Sequence, residues 1–434
     1  MAEPLESILE AKYKVHTSKL LNYFWIGFTL YTAFFVLSTT TTVDYIICQF
    51  FQLVGLGLFV PSAIRLIKWK FTNDYLKTLF FLYMIWQLFI IVRGFPLDYN
   101  NIKVMLFDAE SGVLRFFTPL ILLFPKNLLY YKKIVIVIVV MGIFFLLYDI
   151  LFIKNLMNLD YENNNTKFTY EHFAKILSVP SGLLLLTFIY QEKRVKYIAL
   201  VVIIVSILFA IYRARRALII LTLAPLVISY ILYLYAQKKN FMGVLIPFVL
   251  VFLFLTFGGN FFDNDPPKIF RLLSDRGTED TRSGVENYFY LDMKPLDWVI
   301  GKGIMGKYYC PNIDLGTMTD YRQMIETDYL YIILKGGIIS LALLLLMAIP
   351  AVIKGLFHSK NILSKASAIW ILLFVLELYP ANVSNFSLHY MLFWIAIGIC
   401  YSDVIRNTPE KSLIKLFTGE KEPALNKTKK VESE

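Results

Sequence analysis

The sequence predicts an all-α, polytopic helical bundle of about 12 transmembrane helices, with one large external loop that contains short helices. Three observations lead there. The chain is 57% hydrophobic and only 17% charged, with 37 Phe and 28 Tyr, a composition far from that of a soluble domain. Apolar runs close to the ~20 residues that cross a bilayer core recur from end to end. More than half of the 43 Lys and Arg residues fall in segments on one side of the runs, the pattern that orients spans.

The spans are predicted at 22–38, 45–64, 76–92, 104–124, 133–153, 176–191, 197–214, 216–236, 241–257, 327–353, 366–382 and 386–405. Residues 1–21 are polar and basic, which is not the pattern of a cleavable signal. The run 104–124 is interrupted by Asp108, Glu110 and Arg115. An even number of spans puts both termini on one side. Basic segments such as "PKNLLYYKK", "EKRVK" and "KGLFHSKNILSK" make that side cytoplasmic. Two long segments are then external, 154–175 and 258–326. In the second, "DTRSGVENYFYLDMKPLDW" spaces Val285, Tyr288, Phe289 and Asp292 as a helix, with Pro295 after it. The chain reads as one transmembrane domain, 1–405, including both loops, followed by a disordered basic cytoplasmic tail, 406–434.

Several function classes are excluded. A net charge of +11 would suit nucleic acid, but the cations are spread through the loops as orientation signals, so no nucleic-acid partner is expected. Cys48 and Cys400 lie in spans and Cys310 stands alone in a loop, which leaves no disulfide framework. His16, His172, His358 and His389 lack ligand spacing, so neither a metal nor a cofactor is predicted. The stretch "GKGIMGKYY", Gly301–Tyr309, contains G-x-G-x-x-G without a strand–helix context and reads as a tight turn.

The chemistry is expected where charge meets the membrane. "FAIYRARRALIILTL" places Arg213, Arg215 and Arg216 between two apolar runs, at an external mouth. They either snorkel to lipid phosphates or face a cavity, and Arg213 and Arg216 stand one helical turn apart. The large loop adds Arg271, Arg276 and Arg282. The tenth span opens "IETDYLYIILKGG", which sets Glu326, Asp328 and Tyr329 at its mouth and Lys335 two turns deeper. Guanidinium groups clustered at a membrane surface suit a phosphate-bearing lipid, because arginine binds phosphate bidentately. Asn382, Asn385 and His389, below Glu377, either bind sugar hydroxyls or cap helix ends. Arg115 either pairs with Glu110 or reaches a cavity.

These motifs resemble the O-antigen polymerase (Wzy-type) and O-antigen ligase superfamily of bacterial envelope enzymes. The resemblance rests on "RARRALIIL", a long external loop, "IGKGIMG" and "ETDYLYIILKGGII", and covers residues 200–355 best. It implies a GT-C-like bundle in the bacterial cytoplasmic membrane with its active site on the outer face. The implied activity is metal-independent polymerisation of undecaprenyl-pyrophosphate-linked oligosaccharides into O-antigen, capsule or exopolysaccharide. Implied partners are that lipid-linked glycan, membrane lipid, a chain-length regulator and a flippase. Arg216 matches the family's hairpin arginine and Arg282 its loop arginine, and Glu326 stands at its polar doublet as a general base or an orienter of the arginines. Arg213, Arg215, Arg276, Arg115, Asp328, Tyr329, Lys335 and His389 are the expected binding residues for pyrophosphate or glycan. Ligases carry a histidine where this chain has Glu326, which favours the polymerase. The alternatives are a ligase-like transferase and a lipid-linked oligosaccharide transporter. A transporter would be expected to show internal repeats and midplane charges.

Overall fold

The structure is a computed structural model that describes residues 3–236 and 282–418, apart from 41–42, 72, 126–127, 158–171, 214 and 312–319. The predicted span 241–257, Arg271, Arg276 and the tail beyond residue 418 lie outside the described residues.

The described chain is helical throughout, save for one short strand pair. The principal helices are α1 (Glu3–Ser38), α2 (Tyr45–Leu66), α3 (Asp74–Arg93), α4 (Leu128–Leu151), α5 (Lys193–Tyr212) and α6 (Arg216–Ala236). They continue with α7 (Ser283–Asp292), α8 (Asp328–Phe357), α9 (Ile362–Glu377), α10 (Leu388–Tyr401) and α11 (Glu410–Thr418). Among the described residues, seven helices are long and apolar enough to cross a membrane: α2, α3, α5 and α8 in full, and most of α1, α4 and α6. Caps at their ends satisfy backbone donors that would otherwise be orphaned. Asp44 accepts from Ile46 N and Asn73 from Leu76 N.

Several expected spans are broken or shorter than the sequence predicts. The run 104–124 is not one helix: Tyr99–Phe107 ends at Asp108, a turn follows, then Leu114–Phe117 and a 3-10 turn over Thr118–Leu123. The Asp108 carboxylate causes the break by accepting from the backbone of Glu110 and Ser111 and from the Ser111 hydroxyl. The run 176–191 is likewise divided, with Ser181–Leu186 and a 3-10 turn at Phe188–Tyr190. Helix α10 is only 14 residues long, and every one of them is buried. A helix that is apolar all round must be enclosed by protein or by lipid. Here it is enclosed by protein, packed against α8, α9 and the Thr118–Leu123 turn. Residues 406–418, expected as the start of a disordered tail, are instead ordered. Glu410 accepts from Ile362 N at 2.6 Å, Leu413 is buried, and Asn361 Nδ2 donates to the carbonyls of Ile405, Arg406 and Thr408.

The large loop has a core of its own. Phe289 on α7 packs edge-on against Trp298 and Tyr308, and Met293, Cys310 and Ile325 close the cluster over Leu330, Tyr331 and Leu334 of α8. Pro295 opens a second short helix, Pro295–Ile300, where its missing N–H costs nothing. Strands Tyr308–Tyr309 and Tyr321–Arg322 pair antiparallel.

The glycine turn is where this layer is fastened to the bundle. Gly337 has φ 68° and kinks α8, which frees the carbonyls of residues 334 and 335 from their helical partners. Lys302 N and Gly303 N donate to those carbonyls at 2.7 and 2.9 Å. Gly301 has φ 70°, and a Cβ there would stand 2.5 Å from Gly336 N. Ile304 N donates to Ile90 O, and the Arg93 guanidinium donates to Ile300 O at 2.8 Å. The two glycine motifs, far apart in sequence, are thus one joint.

Candidate functional site

Polar groups gather at the end of the bundle where α7, the start of α8 and the segment 379–389 meet. Asp328 organises it. Its carboxylate is fully buried and accepts from Val383 N at 3.0 Å, Ser384 N at 2.7 Å and Ser384 Oγ at 2.7 Å. These three bonds make Asp328 the anchor of the 383–384 segment. Tyr329 N donates to Leu378 O, which ties the same segment to α8 again.

Arg282, just before α7, reaches over this segment. It donates to Pro380 O at 2.6 Å and Tyr379 O at 3.4 Å, and its Nε lies 3.5 Å from Glu326. Glu326 is 70% exposed, so the contact is a solvent-facing one that orients the guanidinium and stores little energy.

The three hairpin arginines separate. Helix α5 ends at Tyr212 and α6 begins at Arg216, so the turn between them breaks the helical period that would have aligned Arg213 with Arg216. Arg213 is buried, Arg215 half-buried and Arg216 exposed. Helix α6 nonetheless reaches the polar segment through Leu221. Leu221 of α6, with Lys175 and Val179, lines a cavity of about 10 Å³ together with Asn382, Val383, Asn385, Ser387 and His389. Such a space holds about one water. His389 Nε2 lies 2.9 Å from Glu377 Oε2 with both side chains buried. Its ring packs against Phe374 and Trp370, while its Nδ1 and the Asn382 amide have no hydrogen-bond partner among the described residues.

A second cavity, of about 20 Å³, lies on the other side of this segment. Its lining includes Gln87, Arg115, Lys335, Ser340, Ser384 and Tyr390. Arg115 is 6% exposed, with its guanidinium over the rings of Phe116 at 4.6 Å and Tyr331 at 4.2 Å. Lys335 is 2% exposed, lies 5.3 Å from the same Tyr331 ring, and donates to Gly306 O at 2.9 Å. The alternatives for Arg115 are thereby decided. Glu110 pairs with His172, and Arg115 faces the cavity. Gln87, Tyr331 and Ser340 are further members of this site that the sequence reading missed. Gln87, a buried amide in an apolar helix, was the available signal.

Among the described residues, no group of three or more His, Cys, Asp or Glu side chains has metal-binding geometry. No family model, curated protein or solved structure matches the chain. What the fold and composition define is an all-helical protein with membrane-spanning helices and a polar, arginine-bearing layer at one end of the bundle.

Proposed function

We propose that the protein is a membrane-embedded glycosyltransferase. More particularly, it joins undecaprenyl-pyrophosphate-linked oligosaccharide units into a surface polysaccharide on the outer face of the bacterial cytoplasmic membrane. The observation that carries this reading is the convergence of three separate parts of the chain on the segment 379–389. Arg282 from the loop lies over Tyr379 and Pro380, Leu221 of the helix that Arg216 opens shares a cavity with Asn382, and Asp328 fixes Val383 and Ser384. As a glycosidic bond to pyrophosphate breaks, charge grows on the leaving phosphate, and preorganised guanidinium groups stabilise that charge. In this reading Arg216 and Arg282 face the pyrophosphate and Glu326 sets the orientation of Arg282. About 12 spans in a GT-C-like arrangement, with both termini inside, complete the proposal.

The direct test incubates the purified protein with a lipid-linked repeat unit alone. A ladder of products formed without nucleotide sugar or lipid A is the expected result. Transfer only when lipid A is supplied would select the ligase. Movement of the lipid across a vesicle membrane without any bond formed would select the transporter.

Orientation has its own check. Cysteines introduced near residue 290 are expected to react with an impermeant maleimide in intact cells, whereas cysteines near residue 415 react only after lysis. Labelling of the latter in intact cells would reverse the orientation and remove the site from the outer face.

A further inference from the structure

We propose that the cavity between Arg115 and Lys335 is an oxyanion site that takes the oxygens of one phosphoryl group, separate from the arginines at the rim. The argument begins from an unmet requirement. Leaving a buried guanidinium without hydrogen bonds costs several kcal/mol, so a buried arginine keeps its place by being paired. Arg115 Nη1 is buried and has no partner among the described residues, and no carboxylate lies within ion-pair distance of the group. Its stacking on Phe116 and Tyr331 fixes the plane of the guanidinium but leaves its N–H edge unfilled.

Lys335 repeats the pattern. An ammonium has three donors, and among the described residues only one is used, on Gly306 O. Two cations therefore share one cavity. The Asp328 carboxylate is directed to the 383–384 segment, from which it accepts three hydrogen bonds. The Ser340 hydroxyl of the lining is buried and has no partner among the described residues, and the same holds for the hydroxyl of Tyr331, whose ring lies beside both cations. Cations and hydroxyl donors come from the 115 segment and from successive turns of α8, with the Gln87 amide of α3 alongside. That distribution suits a tetrahedral oxyanion better than a planar carboxylate, which one arginine fork alone would satisfy.

Size sets the limit. A cavity of about 20 Å³ admits one or two oxygens of a phosphoryl group, with the rest of the molecule outside. The choice of phosphoryl over another oxyanion rests on the glycan-transfer reading, whereas the affinity for an anion does not. The source is either the head of a polyprenyl phosphate or free phosphate.

The test uses purified full-length protein in detergent and no glycan. Thermal unfolding is followed while inorganic phosphate, pyrophosphate or farnesyl phosphate is titrated against sodium chloride of equal ionic strength. Saturable stabilisation by the phosphates is expected, weakened about tenfold in Lys335→Met and severalfold in Ser340→Ala, and within twofold of wild type in the exposed Arg194→Ala. Farnesyl phosphate binding at least tenfold more tightly than inorganic phosphate identifies a lipid head as the source, and equal affinity identifies the free ion. Equal stabilisation by chloride overturns the proposal, as does unchanged affinity in Lys335→Met and Ser340→Ala. Should Lys335→Met fail to fold, Ser340→Ala decides alone. A protein that binds phosphate here but makes no ladder would retire the polymerase and leave the site standing.

Discussion

Replacing Arg282 with alanine is expected to lower ladder formation by about two to three orders of magnitude, the scale seen when one preorganised donor is removed from a charge-stabilising site. The side chain does two things at once. Its Nη groups hold the carbonyls of Tyr379 and Pro380, and its Nε faces Glu326. Loss of the fork therefore removes a positive group from the rim and unties α7 from the segment that carries Asn382 and His389. Arg282→Lys is expected to fail almost as badly, because an ammonium keeps the charge but cannot reach two carbonyls and a carboxylate in one plane. Glu326→Gln should cost far less, since its contact is exposed and a neutral amide still accepts a hydrogen bond. The checks are ladder yield at matched protein level and limited proteolysis of the loop. Wild-type polymer from Arg282→Ala would remove Arg282 from the mechanism and leave it as a surface contact.

The second large effect is expected at Asp328. Alanine there would leave two backbone N–H groups and a hydroxyl buried without an acceptor, at roughly 1–3 kcal/mol each. That is comparable to a large share of the ~5–15 kcal/mol that holds an ordinary domain together. Asp328→Ala should therefore lower the unfolding temperature and abolish polymer together, because Val383 and Ser384 form the wall between the two cavities. Asp328→Asn keeps one acceptor but turns a donor toward backbone N–H groups, so it should be intermediate. Glu326→Gln in the same assay should leave the unfolding temperature unchanged. Equal stability of Asp328→Ala and the parent would mean that the loop is held by other contacts. The ranking of these two acids is the reverse of the one their sequence positions suggest. Glu326 stands at the motif's most prominent place but faces solvent, while Asp328 is buried and saturated.

Much of the architecture was written in local sequence. The apolar runs became long helices, and the spacing of Val285, Tyr288 and Phe289 became α7 with Phe289 at the centre of the loop's core. Pro295 starts the next helix, and "GKGIMG" forms a turn with positive φ at Gly301 and Gly303. Each of these follows from a property of a few neighbouring residues: hydrophobic period, the fixed φ of proline, the missing Cβ of glycine. Where a local property had two solutions, the sequence reading took the commoner one. The runs 104–124 and 386–405 were read as spans. Asp108 breaks the first by capturing nearby backbone amides, and the second forms a 14-residue helix buried on every side.

By itself the sequence determined that this is a helical protein with membrane-spanning helices and that "GKGIMG" makes a tight turn. Only the tertiary structure decided which charges belong together. Arg115 left Glu110 to His172 and joined Lys335, which lies far along the chain. Arg213 and Arg216 parted across a turn. Asp328 became a latch for residues 383 and 384. The reason is physical. Hydrophobicity and helical period act between neighbours in the chain, whereas the cost of burying a charge is set by whatever other segments bring to it.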